Sequence, residues 1–222
     1  MEDNHEEKPM LLKAIELVLA NPVDIKNETL ALKDRYNKRY ANEKDQSKID
    51  CIIIDKIISN YSYYTAFVGG TTALTGIIPG IGTVVSMFGG ATADAALSMK
   101  YQIEMTMAIA TVCGHDIEIE DEKRLCLIIA GLGTINEAAK EGAKQAGTKA
   151  FQKMAQQYLK GATLQAVKEI FKKVGITFTR KAVEKSIPFG VGVIIGFSAN
   201  KGLSYYVGTK VKDFYLIEST CE

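Results

Sequence analysis

The chain has 222 residues, 47% of them hydrophobic, with 27 basic and 26 acidic side chains and a formal net charge of +1. That is enough apolar material for a substantial core, which excludes a disordered or fibrous chain. The balanced total lacks the basic bias of a nucleic-acid binder, so no nucleic-acid partner is expected.

Residues 9–20 carry Met10, Leu11, Ala14, Ile15, Leu17 and Val18 at spacings of three and four, the pattern of an amphipathic helix. Asn21-Pro22 reads as its end. A second helix, 28–42, is polar, with Leu30, Leu32, Tyr36 and Tyr40 among Lys33, Arg35, Lys38 and Arg39, and is expected at the surface. A third begins near residue 45 and holds Ile49, Cys51, Ile52, Ile53, Ile54, Ile57 and Ile58. Its β-branched run is compatible with a strand, but Ile49, Ile53 and Ile57 around Asp55 and Lys56 fit a 3.6-residue period better than alternation.

Next comes a stretch without a single charge, from after Lys56 to Asp94, most apolar over 66–93. A segment of that length in water would carry charges, so it is buried in protein or in contact with lipid. At its centre lies Gly76-Ile77-Ile78-Pro79-Gly80-Ile81-Gly82, flanked by Gly69-Gly70 and Gly89-Gly90. Proline lacks an N–H and clashes inside a helix, so a break is expected at Pro79: a helix over 62–75, a turn over 76–82, and a long helix over 83–113. Each arm holds too few apolar residues to cross a bilayer core of about 30 Å, which makes a helical hairpin rather than a span. Cys113-Gly114 supplies a left-handed helix cap, and a further helix over 121–139 has acids gathered at its positive end.

From residue 138 to 185 there are eleven bases against three acids, a local net of +8. Phe151, Met154, Ala155, Tyr158, Leu159 and Ala162, then Val167, Ile170, Phe171 and Val174, make one apolar face, and the lysines fall on the others. A turn at 186–192 leads into a closing helix over 193–215. That final segment echoes the first hairpin. Ile78-Pro79-Gly80-Ile81-Gly82 resembles Ile187-Pro188-Phe189-Gly190-Val191-Gly192, and the helix from Gly90 through Ala93, Asp94, Leu97 and Ser98 aligns with that from Gly196 through Ala199, Asn200, Leu203 and Ser204. Two helical hairpins of similar design are expected, with Asp94 and Asn200 meeting near their pseudo-symmetry axis, where a short polar side chain can cap a neighbouring helix or bond across the interface.

These residues carry a resemblance to the EcsC family: the proline turn before a Gly-x-x-x-Asp helix (Pro79, Gly90, Asp94), the Gly-x-Asp corner (Gly114, Asp116), and the Pro then Gly-x-x-x-Asn helix near the C-terminus (Pro188, Gly196, Asn200), over about 50–215. The resemblance implies an intracellular, membrane-associated bacterial protein, and it lends no catalytic residue. The expected architecture is all-α with about eight helices. Polar and amphipathic helices over 1–48 precede an EcsC-like helical domain over 49–222, whose hairpins at 62–113 and 186–215 are joined by the basic segment 138–185.

Candidate chemistry is sparse. Cys113-Gly114-His115-Asp116 offers three ligand types in four residues, but the only other histidine, His5, stands in the acidic tail, and a closed zinc site needs four ligands. Gly142-Ala-Lys-Gln-Ala-Gly147-Thr148-Lys149 misses the phosphate loop because its last two residues are reversed and no strand precedes it. No Gly-x-Ser-x-Gly elbow occurs. Neither catalysis nor a cofactor or metal is expected. Cys51, Cys113, Cys126 and Cys221 are widely spaced, as free thiols in a reducing compartment are, and the acidic N-terminus lacks the apolar core of a secretory signal.

The basic face is the strongest functional candidate. Lys144, Lys149, Lys153, Lys160, Lys172 and Lys173 are expected to contact anionic lipid, where each lysine contributes about 1 kcal/mol. The leading reading is a non-enzymatic, EcsC-type helical protein in the cytoplasm, peripheral on the inner face of the cell membrane, binding its anionic surface or a membrane partner. The alternative is a soluble helical interaction module, or a subunit of a transport or defence system, whose apolar hairpins form its own core.

Overall fold

The computed structural model describes residues 7–68, 78–138, 148–158, 163–184 and 192–218. Among them are nine helices and no strand: α1 (Met10–Glu16), α2 (Pro22–Arg39), α3 (Gln46–Ala66), α4 (Ile81–Phe88), α5 (Gly90–Val112), α6 (Glu120–Ala138), α7 (Thr148–Gln156), α8 (Leu164–Glu184) and α9 (Gly192–Glu218). The all-α class is as the periodicity predicts, including the isoleucine-rich α3, whose Ile49, Ile53, Ile54, Ile57 and Ile58 line one buried stripe.

Helix α5 is the centre of the molecule. It packs against α1, α2, α3, α4, α6, α8 and α9, and apart from Lys100 and Tyr101 every residue from 95 to 112 is buried. The segment of α1 and α2 contributes to the same core through Leu11, Leu12, Ala14, Ile15, Val18 and Ile25. Helix α2 buries only Ile25 and Thr29 and lies on the surface, as its composition predicts.

Three boundaries differ from expectation. Asn21-Pro22 starts α2 rather than ending α1: the Asn21 side chain accepts from the Val23 N–H at 3.0 Å and Pro22 occupies the first helical position. There its missing N–H is no loss and its fixed φ suits the helix. Helix α3 runs without a break to Ala66, so the helix expected over 62–75 has its start inside α3, and 69–77 lies outside the described residues. The long helix expected over 83–113 is two helices, because Gly89 adopts φ 82° and ψ 164°, a conformation that side chains disfavour. The turn at Pro79 is present, with Gly80 at φ 82°. A Cβ on Gly80 would collide with the Leu17 carbonyl oxygen, so glycine is required there on two counts.

Among the described residues, helices also approach closely at three glycines away from Pro79. An added Cβ on Gly131 of α6 would run into Ile170 of α8, on Gly133 it would lie 3.0 Å from Val207 of α9, and on Gly208 of α9 it would lie 2.9 Å from Ile58 of α3.

Candidate functional site

Helices α3 and α9 run antiparallel, and their contacts form a ladder from a charged end to an apolar one. Lys212 pairs with Asp55 at 2.6 Å, Gly208 faces Ile58, and the Thr65 hydroxyl donates to Ser204 at 3.2 Å. Beyond these, Lys201 Nζ lies 3.8 Å from the centroid of the Tyr63 ring, and the Asn200 amide donates to the Val68 carbonyl at 2.9 Å. Asn200 thus satisfies a carbonyl just past the end of α3, the capping role foreseen for it. The other helices bring related parts to the same end. Tyr64 packs on Tyr101 of α5 with centroids 5.8 Å apart, Thr92 of α5 contacts Met10 of α1, and Gly175 of α8 faces Leu11.

This end of the bundle carries the five most exposed large apolar side chains among the described residues: Phe67 (65%), Met87 (64%), Ile176 (61%), Met10 (58%) and Tyr205 (58%). Tyr63 and Tyr64 are exposed beside them. Helix α4 buries Ile81 and Val84 and turns Gly82, Thr83, Ser86 and Met87 outward, so its solvent side is uncharged. Exposed Lys172 and Lys173 sit within one helical turn of Ile176. Lysine 201 holds the Tyr63 hydroxyl below its usual range, chiefly by hydrogen bonding and then by its charge.

The opposite end is polar and tightly tied. Gly114, at φ 94°, closes α5 in a Schellman arrangement: Gly114 N–H donates to the Thr111 carbonyl at 3.1 Å and His115 N–H to that of Ala110 at 3.0 Å. Asp116 accepts from Lys26 at 2.8 Å and from the Glu118 N–H at 3.2 Å. Both bonds, Lys26 first, hold its carboxyl below the usual range. That lowered value contributes stability above the ordinary carboxylate range, lost as pH falls through it. Lys33 bridges Asp50, at 3.1 Å, and the Val112 carbonyl, at 2.8 Å, a cation at the negative end of α5. The Gly-x-Asp corner is therefore built as a helix stop and a docking point for α2. His115 lies 3.1 Å from Glu122 and edge-on to Tyr215, whose hydroxyl is 3.5 Å from Cys126 Sγ. Burial pushes the Cys126 thiol up to about 12, outweighing the Tyr215 hydrogen bond, so it is a poor nucleophile.

Between the two ends, α5 carries a strip of buried polar groups. Gln102 accepts from Thr134 at 2.5 Å and donates to Ser98 at 3.3 Å. Glu104 accepts from Lys100 at 2.5 Å and from the Ala20 N–H at 2.9 Å, joining the α1–α2 connection to the core. Burial, then the Glu104 charge, raises the hydroxyls of Tyr61 and Tyr101 above their usual range. These groups satisfy one another across α5, α6 and the α1–α2 connection, and their arrangement is that of a scaffold.

The residues singled out in the sequence are dispersed accordingly. Pro79 precedes α4, Gly90 opens α5, and Asp94 lies half-buried one turn later. Gly114 and Asp116 stand at the far end of α5, Gly196 and Asn200 belong to the first half of α9, and Pro188 is outside the described residues. Of the lysines, Lys153, Lys172 and Lys173 are exposed, Lys149 belongs to α7, and Lys144 and Lys160 fall outside the described residues. Lys153 is remote from the apolar end: its neighbour Gln152 bonds the Asp213 carbonyl at 3.3 Å, near the polar end of α9. Sequence reasoning missed Met10, Phe67, Met87 and Ile176 as a group, because each reads as one more apolar residue; only Phe67 and Met87 carried a signal, at helix ends just before glycine pairs. Comparison of the chain with protein-family models, curated proteins and solved structures finds no match in any of the three.

Proposed function

We propose that the chain is a non-enzymatic, EcsC-type helical protein that binds the anionic surface of a membrane peripherally, on its cytoplasmic face. The observation that carries this reading is the gathering of the most exposed apolar side chains at one end of the bundle, next to an uncharged α4 and to Lys172 and Lys173. Large exposed apolar side chains gathered at one end of a fold commonly mark a contact surface. Lysines adjoining it favour an anionic surface, at about 1 kcal/mol per engaged side chain. Among the described residues no helix is long and apolar enough to cross a membrane, which agrees with attachment from one side. The resemblance to the EcsC family points the same way, and the core chemistry supports no catalytic assignment.

Vesicle flotation tests it. The protein floats with vesicles containing phosphatidylglycerol and far less with neutral phosphatidylcholine, and K172E/K173E weakens binding by roughly thirtyfold or more at low salt, as expected for about 2 kcal/mol. Protein that stays at the bottom of the gradient with both lipids contradicts the reading and favours the interaction module, in which the same end meets a protein.

A further inference from the structure

Resting on the membrane reading, we propose that the protein enters lipid tip-first, with the end of the α3–α9 pair leading, rather than lying on the basic face of α8. Phe67 then sits among the acyl chains and Tyr63, Tyr64 and Tyr205 lie at the headgroup level.

The polarity along α3 is graded as the depth of a leaflet is graded. Phe67 is four residues past Tyr63, about 6 Å further along the helix axis. Behind the tyrosines the first charge on α3 is Lys56, eleven residues from Phe67, or about 16 Å. That distance is close to half of a hydrocarbon core of about 30 Å. Helix α9 matches it from the other side: Ser204 bonds to Thr65, so Tyr205 stands level with the Tyr63–Tyr64 pair, and Lys212 meets Asp55 well behind them. The first charge met on α9 going back from the tip is Lys201, whose ammonium rests on the Tyr63 ring. A lysine can keep its head at the interface while its stem lies in apolar surroundings, and exposed tyrosines favour that same layer.

A protein partner is a poorer match. A protein–protein patch has a polar rim in which charges of both signs form bonds, whereas residues 57–93 offer none of either sign. Of the acids that bound this run, Asp55 is paired with Lys212 at 2.6 Å and Asp94 is half-buried. The charge nearest the Tyr63–Phe67 end of α3 is the cation Lys201, on the facing helix; acids come closer only at the margins, Glu7 before Met10 and Glu169 before Lys172 and Lys173.

The chain contains no tryptophan, so single-tryptophan variants report depth directly. F67W, Y205W, I176W and, on the surface helix α2, L30W are each mixed with phosphatidylglycerol-rich vesicles whose chains are brominated either near the headgroup or near the chain ends. On binding, F67W shifts to the blue and loses most of its intensity to the deep bromines, Y205W is quenched mainly by the shallow ones, and L30W by neither. Floated protein in which I176W is quenched and F67W is not means that α8 lies on the surface, which overturns the tip-first entry and leaves membrane binding intact. Absence of flotation for the wild type and every variant overturns the membrane reading and this proposal together. A blue shift of F67W that appears without lipid, as protein concentration rises, assigns the tip to a contact between two copies and overturns the proposal.

Discussion

Glu104→Ala lowers the stability of the protein by about 3–5 kcal/mol in urea unfolding, the range for removing one partner of a buried ion pair. Glu104 and Lys100 lie one turn apart on the central helix, with side chains 5% and 12% exposed. Without the carboxylate, the Lys100 ammonium keeps only the face of the Tyr101 ring, 4.7 Å away. The Ala20 N–H loses its acceptor as well, and with it the link from the α1–α2 connection to α5. The double variant E104L/K100M removes both charges and restores apolar volume, and most of the lost stability returns with it, as replacement of whole buried pairs by hydrophobic residues commonly shows. A loss below about 1 kcal/mol for Glu104→Ala would mean that the pair is solvated and that α1 is not held through it.

Two glycines on α9 respond in opposite directions. Gly208→Leu destabilises by about 3 kcal/mol, the upper end of overpacking. A Cβ there already lies 2.9 Å from both Ile58 Cγ1 and Cγ2 and 3.0 Å from Met105 Sδ, in the seam between α3, α5 and α9. Gly202→Ala, six residues earlier at an exposed position with no atom within 4 Å of the new Cβ, gains up to about 1 kcal/mol from helix propensity. Thermal melts of the two variants check both signs. Equal shifts would mean that α9 does not pack on α3 and α5 in this register.

Periodicity made the helices legible, and proline with glycine made the turn at Pro79 legible, because both signals are local. What the sequence concealed was the centre. Helix α5 carries Lys100, Gln102 and Glu104 and so reads as amphipathic beyond Asp94, yet the lysine and glutamate neutralise each other at i,i+4 and Gln102 is satisfied by Thr134, 32 residues away. Burial of polar groups in such pairs is invisible without the partner's position. Asn21-Pro22 was ambiguous for a different reason: a proline stops the helix before it and starts the one after it, and here five residues separate the end of α1 at Glu16 from the start at Pro22. The likeness of the two hairpins rests on Pro79 against Pro188 and on Gly90–Ser98 against Gly196–Ser204, and Pro188 lies outside the described residues. The candidate membrane tip was half legible. The uncharged run from 57 to 93 marked the region, but Ala66 and Val68 of that run are buried while Phe67 between them is exposed, a distinction set by how α9 covers the end of α3.

The claim that this apolar end meets lipid is tested most directly by flotation of F67S/M87S on phosphatidylglycerol vesicles at high salt, where the lysine contribution is screened. The two side chains, each about two-thirds exposed, would bury enough apolar surface in lipid to contribute about 2–3 kcal/mol. The variant therefore binds roughly 30- to 150-fold more weakly than wild type, with an unchanged melting temperature because both positions are on the surface. Undiminished flotation of a folded F67S/M87S protein would contradict the account.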